Sequence, residues 1–284
     1  MSSDKKHQSI KRKVYYQLTR CKLFIPNLIN KNSPHKYLFI LSPPFCGSTL
    51  LNQLISTSKN VSCNNNIGTR EGQTLPEVRN IMFENNRWKK NVSLPWEKIK
   101  TVWHKYWDLS KPILLDKSIP NIMRVNNIKE FFNPVSFICM VRNPYAQCEG
   151  IIRRNRKSAE FAAKFAINCL QYQKTNIENE QNLLFFTYED LCENKSQVVN
   201  KIISFIPDLK DIESEKKFKA HNFKTKEKMK ITNLNNEKIA KLSQQQLETI
   251  NSYFEKEIDL LNFFNYPIIK SIRKVSEEDT RKYL

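Results

Sequence analysis

The sequence has little glycine, no long hydrophobic run and no recognisable targeting segment. Only four of its 284 residues are glycine, so the placement of each one is informative. The early apolar stretch from Leu23 to Ile29 is interrupted by Pro26 and Asn27, and it is far shorter than the roughly 20 residues that a membrane-spanning helix needs. The basic N-terminus is not followed by the apolar core of a signal peptide. We therefore expect neither a membrane span nor secretion.

Metal-binding and disulfide motifs are missing as well. The seven cysteines are odd in number, scattered and never spaced as C-x-x-C, which argues against both a disulfide framework and a zinc site. Reduced thiols in a cytoplasm account for them most simply. The sequence therefore predicts a cytoplasmic protein without a metal cofactor.

The composition is that of a globular protein with a strong positive charge. Hydrophobic residues make up 40% of the chain and aromatic residues 11%, enough for one sizeable core. The net charge of +19 arises from 47 Lys and Arg against 28 Asp and Glu, so an anionic ligand is expected: a phosphorylated cofactor, a polyanion or nucleic acid. Residues 1–36 carry nine of these cations and one Asp. We divide the chain into a basic N-terminal arm, 1–35, which is either solvated or a binding surface, and a single domain, 36–284.

Short apolar runs alternate with helical patterns along the domain. This alternation predicts an α/β fold, a central parallel sheet flanked by helices. The predicted strands are 36–41, 112–115, 134–141 and 182–191. The predicted helices are 48–58, 76–88, one after Pro120, 158–179, 194–206 and 243–261, and the predicted loops are 60–76 and a mobile basic one at 210–230.

The loop after the first strand has the features of an anion site. Ligands of parallel sheets bind where the strands end, beside helix N-termini. In the segment 43–49, Gly47 would let the backbone approach a phosphate, and Ser48 and Thr49 would add hydroxyl donors. A P-loop kinase or GTPase would have lysine in place of Ser48, which disfavours those classes. The alternative reading is a plain turn with Ser48 as the helix N-cap.

A second anion site is predicted after the strand 134–141. Arg142 follows this strand directly, and Gly150, Arg153 and Arg154 lie on the next helix. Guanidinium groups suit phosphates because they are permanently charged and bidentate. A single ligand with two separated phosphate groups would explain both sites.

The chain resembles the sulfotransferases that use 3′-phosphoadenosine 5′-phosphosulfate (PAPS). Four motifs of that family occur in family order: P-[RK]-S-G-T-T-L as Pro44–Leu50, E/D-K-x-P-N as Asp116–Asn121 with one inserted residue, V-R-[DN]-P as Val141–Pro144, and Y-E-D-L as Tyr188–Leu191. The segment 231–266 also resembles the family's closing helix. The resemblance implies a P-loop-like nucleotide-binding topology and a sulfotransferase activity.

The resemblance also implies roles for individual residues. It assigns the 5′-phosphosulfate to Pro44, Phe45, Cys46, Gly47, Ser48, Thr49 and Leu50, the 3′-phosphate to Arg142 with the help of Arg154, the adenine side to Tyr188, and the leaving group to Lys117. The loop "REGQTLPEV" is similar to the segment carrying the catalytic glutamate in protein-tyrosine sulfotransferases, which selects Glu71 as the base. Glu77 and His104 are the alternatives for this role.

Two positions depart from the family pattern. Phe45 stands where the family has a cation, and Gly150 stands where it has a serine that binds the 3′-phosphate. We expect transfer of a sulfuryl group from PAPS to an acceptor hydroxyl or amine, without a metal. The acceptor is open among glycans, lipids, proteins and small metabolites. The alternative is a catalytically impaired relative that binds nucleic acid or another polyanion, although nucleic acid is the less favoured partner.

Overall fold

Five parallel strands form the centre of the protein. The computed structural model describes residues 3–219, 228, 229 and 231–272. The strands are β1 Lys36–Leu41, β2 Val61–Cys63, β3 Ile113–Asp116, β4 Val135–Val141 and β5 Leu183–Thr187, and their order in the sheet is β2-β3-β1-β4-β5. All neighbouring pairs in this sheet are parallel. The predicted α/β fold with a parallel sheet is confirmed.

Twelve α-helices lie in the described part of the chain, and most of them pack around this sheet. They are α1 Ser3–Ile29, α2 Ser48–Ile55, α3 Pro76–Arg79, α4 Trp96–His104, α5 Val125–Phe131, α6 Pro144–Asn155, α7 Ala159–Asn179, α8 Tyr188–Glu193, α9 Lys195–Phe205, α10 Asn235–Ile239, α11 Gln244–Phe254 and α12 Ile258–Phe263. No helix within these described ranges is long and apolar enough to cross a membrane.

The central strands are buried on both faces because alternate side chains enter two different cores. Tyr37, Phe39 and Leu41 of β1 pack with the tryptophans of α4 and the segment after it. Leu38 and Ile40 pack on the opposite face with α2 and α9. Burial on both faces explains why these strands are continuous apolar runs in the sequence, "KYLFIL" in β1 and "VSFICMV" in β4.

The register of the strands brings four loops to one edge. Phe39 pairs with Asp116 and Leu41 with Cys139, and Val141 pairs with Thr187. Parallel strands share one direction, so the segments that follow β1, β3, β4 and β5 emerge side by side. The sequence motifs therefore meet in space.

Some predicted elements differ from those in the structure. The predicted loop 60–76 contains β2, whose three residues are too few to show an alternating pattern. The predicted helix 76–88 ends as α3 at Arg79 and continues only as a π-helical turn, Asn80–Glu84. The predicted strand 182–191 stops at Thr187, because the Thr187 side chain accepts a hydrogen bond from the Asp190 amide (3.0 Å) and caps α8.

The basic arm contains α1, a helix that the sequence analysis did not predict. Asn27 fixes its end by donating hydrogen bonds to the carbonyls of His104 (2.9 Å) and Trp107 (2.8 Å). The division of the chain at residue 35 stays a prediction. Of the predicted mobile loop 210–230, residues 218–219 pair with 228–229 as a short antiparallel ladder. Residues 220–227 and 230 lie outside the described residues, as does the end of the predicted domain, 273–284.

Candidate active site

A cavity of about 860 Å³ opens at the carboxyl edge of the sheet, where the four loops meet. Eleven of the thirteen predicted site residues line it: Pro44, Phe45, Gly47, Ser48, Thr49, Leu50, Glu71, Lys117, Arg142, Arg154 and Tyr188. Cys46 and Gly150 are not among the described residues that line it. The Cys46 thiol is buried and faces the carbonyl of Pro44, and its burial raises its pKa to about 12.

The loop between β1 and α2 turns on Gly47. Its φ of 90° lies in the left-handed region that favours glycine. A β-carbon at this position would lie 2.7 Å from the Tyr188 ring, so glycine is also required by the close approach of that ring. Gly47, and not Ser48, is the N-cap of α2, which makes the N-cap interpretation of Ser48 wrong. The Ser48 hydroxyl is consequently not used by the helix terminus.

Lys117 extends from the end of β3 to this loop. Its ammonium donates to the hydroxyl of Thr49 at 3.1 Å, and it lies 3.4 Å from the hydroxyl of Ser48. It also lies 3.4 Å from a carboxylate oxygen of Glu71, and each of these two side chains is 1% exposed. Burial lowers the pKa of Lys117, and the Glu71 carboxylate opposes that shift. The cation thus joins the hydroxyls of the loop to the predicted base.

Glu71 has a second set of contacts on its other oxygen. That oxygen accepts a hydrogen bond from the Gln73 amide and lies 3.7 Å from the Arg87 guanidinium. The Glu71 carbonyl accepts from the Asn65 amide (2.9 Å) and the Thr74 hydroxyl (2.7 Å), which fixes the backbone. The carboxylate is therefore held in one orientation at the inner wall of the cavity.

Asp116 explains why Glu71 and Lys117 lie together. This fully buried carboxylate, the last residue of β3, accepts hydrogen bonds from the backbone amides of Gly72 (2.9 Å) and Ser118 (2.8 Å). Gly72 has no side chain to obstruct this contact, since a β-carbon would lie 2.4 Å from Asp116. Burial raises the pKa of Asp116 while these hydrogen bonds lower it. The sequence analysis matched Asp116 to a motif but gave it no role, although an acidic residue ending a buried strand is a recognisable feature.

Arg142 forms the far wall of the cavity. Its Nε donates to Asn235 (2.6 Å), its Nη1 donates to the Phe45 carbonyl (3.1 Å), and its guanidinium lies 4.0 Å from the centre of the Tyr188 ring. The remaining nitrogen, Nη2, is buried without a hydrogen-bond partner among the residues that the structure describes. The guanidinium is thus oriented by three contacts and keeps one donor group for a ligand.

Lys238 stands near Arg142 and was missed by the sequence analysis. It comes from α10, and its ammonium lies 3.3 Å from Glu149. Burial, together with the nearby positive charge of Arg142, lowers the pKa of Lys238 to about 8. No sequence pattern distinguishes Lys238 from the other lysines of the chain, because only the packing of α10 against α6 brings it to the cavity.

Phe45 and Gly150, the two departures from the family pattern, contact each other. Phe45 has a φ of 67°, in the left-handed region, and its ring packs directly on the helix at Gly150. A β-carbon on residue 150 would lie 2.7 Å from Cγ of Phe45. The bulky residue in the loop and the missing side chain on the helix are therefore complementary parts of one packing arrangement.

Substituting Gly150 by alanine tests this arrangement. We expect a loss of about 1–3 kcal/mol in the free energy of unfolding, because the Phe45 ring must move from a well-packed position. In a Phe45→Ala background the same substitution is expected to be neutral or stabilising, since alanine is favoured over glycine by about 1 kcal/mol within a helix. Urea unfolding of the four variants measures the coupling. Equal costs in both backgrounds would contradict the contact.

The two alternative bases do not belong to the site. Glu77 accepts a hydrogen bond from Tyr106 (2.8 Å) and pairs with Arg20 (3.1 Å). His104 lies 3.0 Å from the Tyr37 hydroxyl inside the aromatic core, where burial lowers its pKa to about 4. The described lining of the cavity includes neither residue. Both therefore contact only residues outside the cavity lining, and of the three candidate bases Glu71 is the one that lines the cavity.

The comparisons with known proteins agree with the fold. The sulfotransferase domain of the Synechococcus PCC 7002 olefin synthase is 18% identical to this chain, with a TM-score of 0.52, and the match covers 83% of this chain and 96% of that one. A sulfotransferase from Alicyclobacillus acidocaldarius is 9% identical, with a TM-score of 0.49 and coverages of 82% and 96%. No curated protein matches the sequence.

The match to a family model extends over far more residues than any of the four motifs. The model of the sulfotransferase family matches residues 38–210, which span the sheet and the loops at its carboxyl edge. This segment is more than half of the 284 residues. The chain belongs to the sulfotransferase family.

Proposed function

We propose that the protein transfers the sulfuryl group of PAPS to an acceptor hydroxyl or amine. One observation carries the proposal: the buried ammonium of Lys117 contacts the hydroxyls of the β1–α2 loop on one side and the Glu71 carboxylate on the other. A cation for the leaving group and a base for the acceptor are the two groups that this transfer requires, since it depends on positioning and electrostatics. Here they lie within ion-pairing distance.

The donor fits the charges along the cavity. The N-terminus of α2 presents free amide groups and the positive end of its dipole, which favour the 5′-phosphosulfate. Across the cavity, Nη2 of Arg142, which has no hydrogen-bond partner within the described part of the chain, fits the 3′-phosphate. Lys238 supplies a second positive charge there and would replace the serine that the family has at position 150. Tyr188, whose ring spans Gly47 and Arg142, would lie against the nucleoside between them.

The roles of the protein side chains follow from these positions. Bound PAPS supplies the activated sulfuryl group. Glu71 accepts the proton of the acceptor hydroxyl, and Gln73 and Arg87 keep its carboxylate oriented. Lys117 donates a hydrogen bond to the oxygen that bridges phosphate and sulfuryl group, where negative charge develops. The loop has Phe45 where the family has a cation, so Lys117 would stabilise the developing negative charge without a second cation from the loop.

The acceptor would enter beside an aromatic wall. Trp88 and Phe165 line the same cavity and pack edge to face, with their ring centres 4.8 Å apart. Arg87 joins this wall to the base, since its guanidinium lies 5.6 Å from the Trp88 ring and 3.7 Å from Glu71. In this proposal the acceptor would lie on the opposite side of Lys117 from the nucleotide.

Calorimetry with adenosine 3′,5′-bisphosphate tests the donor site. We expect the wild type to bind this product nucleotide, and Arg142→Ala to weaken binding by about 2 kcal/mol, roughly 30-fold, through the loss of a charged hydrogen-bond partner. Arg124→Ala is the matched control, because Arg124 is equally buried but donates to the Asn86 carbonyl outside the described cavity lining. Unchanged affinity in the Arg142 variant would remove this residue from the site.

Turnover of labelled PAPS with a panel of acceptors distinguishes the enzyme from the alternative function. An impaired relative would bind nucleic acid or another polyanion with a steep dependence on salt, and it would release no adenosine 3′,5′-bisphosphate from the donor. Transfer of label to any acceptor establishes the enzyme.

A further inference from the structure

Helix α1 exposes an apolar stripe to solvent. The residues Ile10, Val14, Leu18, Cys21, Ile25, Leu28 and Ile29 fall on one side of the helix at 3.6 residues per turn, and we call them the outer stripe. All are exposed; Leu18 is 64% exposed and Ile29 76%. Seven of the ten large apolar residues with strong exposure in the described chain lie on α1. A concentration of this kind differs from the scattered exposed apolar residues of an ordinary surface.

The opposite side of α1 is attached to the protein. Tyr16 packs edge to face against Tyr106, with ring centres 5.9 Å apart. Arg20 pairs with Glu77, and Asn27 bonds two carbonyls at the end of α4 and beyond. These contacts fix the rotation of the helix, so most of the outer stripe points away from the body of the protein. Leu18 lies at the margin of the stripe, where it is 64% exposed and also lines a cavity beside α1.

Cations border the outer stripe on both sides. On a helical projection, Lys11 and Lys22 lie along one edge of the stripe, and Lys13 lies along the other. The sequence has no Asp or Glu between residues 5 and 36. An apolar face between two basic edges is the arrangement of a helix that lies in the interface of an anionic bilayer.

We propose that α1 docks the protein on a membrane surface rich in anionic lipid, with the outer stripe in the boundary between headgroups and acyl chains. The charges favour this occupant over a second copy of the chain. Two copies that paired through their stripes would bring like-charged edges together, which costs free energy. Anionic headgroups would neutralise the same edges. The helix would lie on the membrane without crossing it, and the proposal is independent of the sulfuryl transfer proposed above.

Flotation of the full-length protein with vesicles tests this surface. We expect strong partition onto vesicles of phosphatidylcholine with phosphatidylserine, and at least about tenfold weaker partition onto phosphatidylcholine alone. Raising the salt from about 0.1 M towards 1 M shortens the Debye length from about 10 Å to 3 Å, and it is expected to release much of the bound protein. Equal partition onto both vesicles, or none, overturns the proposal.

Two sets of substitutions assign the binding to α1. The triple variant Val14→Gln, Leu18→Gln, Ile25→Gln removes apolar contacts and is expected to lower partition at least about tenfold. Lys11→Gln, Lys13→Gln, Lys22→Gln is expected to abolish the preference for phosphatidylserine. Glutamine matches leucine and lysine closely in helix propensity, and circular dichroism confirms that α1 is retained.

Ile258→Gln serves as the control, because Ile258 is an exposed apolar residue (39%) on α12, outside the stripe. If neither triple variant changes the partition of the protein onto vesicles, the proposal is contradicted. Light scattering supplies a separate outcome: a wild-type dimer that becomes a monomer in the apolar variant would assign the outer stripe to a second copy and overturn the membrane assignment.

Discussion

Replacing Glu71 by glutamine is expected to lower kcat by about 10²–10⁴-fold, the range for the loss of a positioned general base. The amide keeps the shape of the side chain and its contact with Gln73, but it cannot accept the acceptor's proton. Binding of adenosine 3′,5′-bisphosphate should change little, because Glu71 faces Lys117 and Arg87, away from Arg142. Steady-state transfer from labelled PAPS and calorimetry measure the two quantities on the same preparation.

Glu77→Gln is the matched control for this variant. Glu77 lies on the neighbouring helix α3, where it contacts Tyr106 and Arg20. Its substitution should leave kcat within about threefold, while stability changes by the small amount typical of a partly exposed pair. A Glu71 variant with wild-type turnover would exclude Glu71 as the base.

Replacing Lys117 by methionine is expected to lower kcat by about 10²–10³-fold, as for the loss of one preorganised donor to a developing negative charge. Methionine fills a similar volume, so packing is largely kept. Removal of one member of a buried ion pair also destabilises the fold, by about 3–5 kcal/mol. Rates are therefore measured well below the unfolding transition of the variant.

The pH profile separates catalysis by Lys117 from a structural role. Burial lowers the pKa of this lysine from its ordinary value of 10.5, so the charged form is lost as pH rises through that lowered value. Wild-type kcat should therefore fall at alkaline pH, before a free lysine would titrate. The residual activity of Lys117→Met should lack that decline, whereas Lys100→Met should keep it, because Lys100 bonds the Phe131 carbonyl outside the described cavity lining. Rates are measured at saturating PAPS, so that loss of the Lys238 charge (pKa about 8) does not limit kcat through donor binding. An alkaline decline in kcat that persists in Lys117→Met under these conditions would contradict the assignment.

The site residues that follow the strands could be predicted from the sequence, because all strands of a parallel sheet have their carboxyl ends on the same side. The residues concerned lie within eight positions after an apolar run, and the register of β1, β3, β4 and β5 brings them together. They are Ser48, Thr49, Lys117, Arg142 and Tyr188. Glu71 was selected differently, through a loop that resembles one branch of the family. Its position in the cavity agrees with that selection.

Other parts of the site were beyond the sequence because they depend on contacts between distant segments. Asn235 and Lys238 lie about 95 residues after Arg142, and only the packing of α10 on α6 brings them to it. Phe45 and Gly150 each looked like the loss of a ligand. Together they form a steric pair, which a linear comparison cannot show because it treats each position separately.

The sequence by itself determined the α/β class, the order of the four motifs and the end of the sheet at which they meet, because apolar periodicity and strand direction are local properties. The tertiary structure alone decided three features: the link from Lys117 to Glu71 through Asp116, the Arg142 donor that no described residue pairs with, and the outward rotation of α1. Each of these depends on which buried polar groups find partners across the fold, and that matching exists only once the chain has packed.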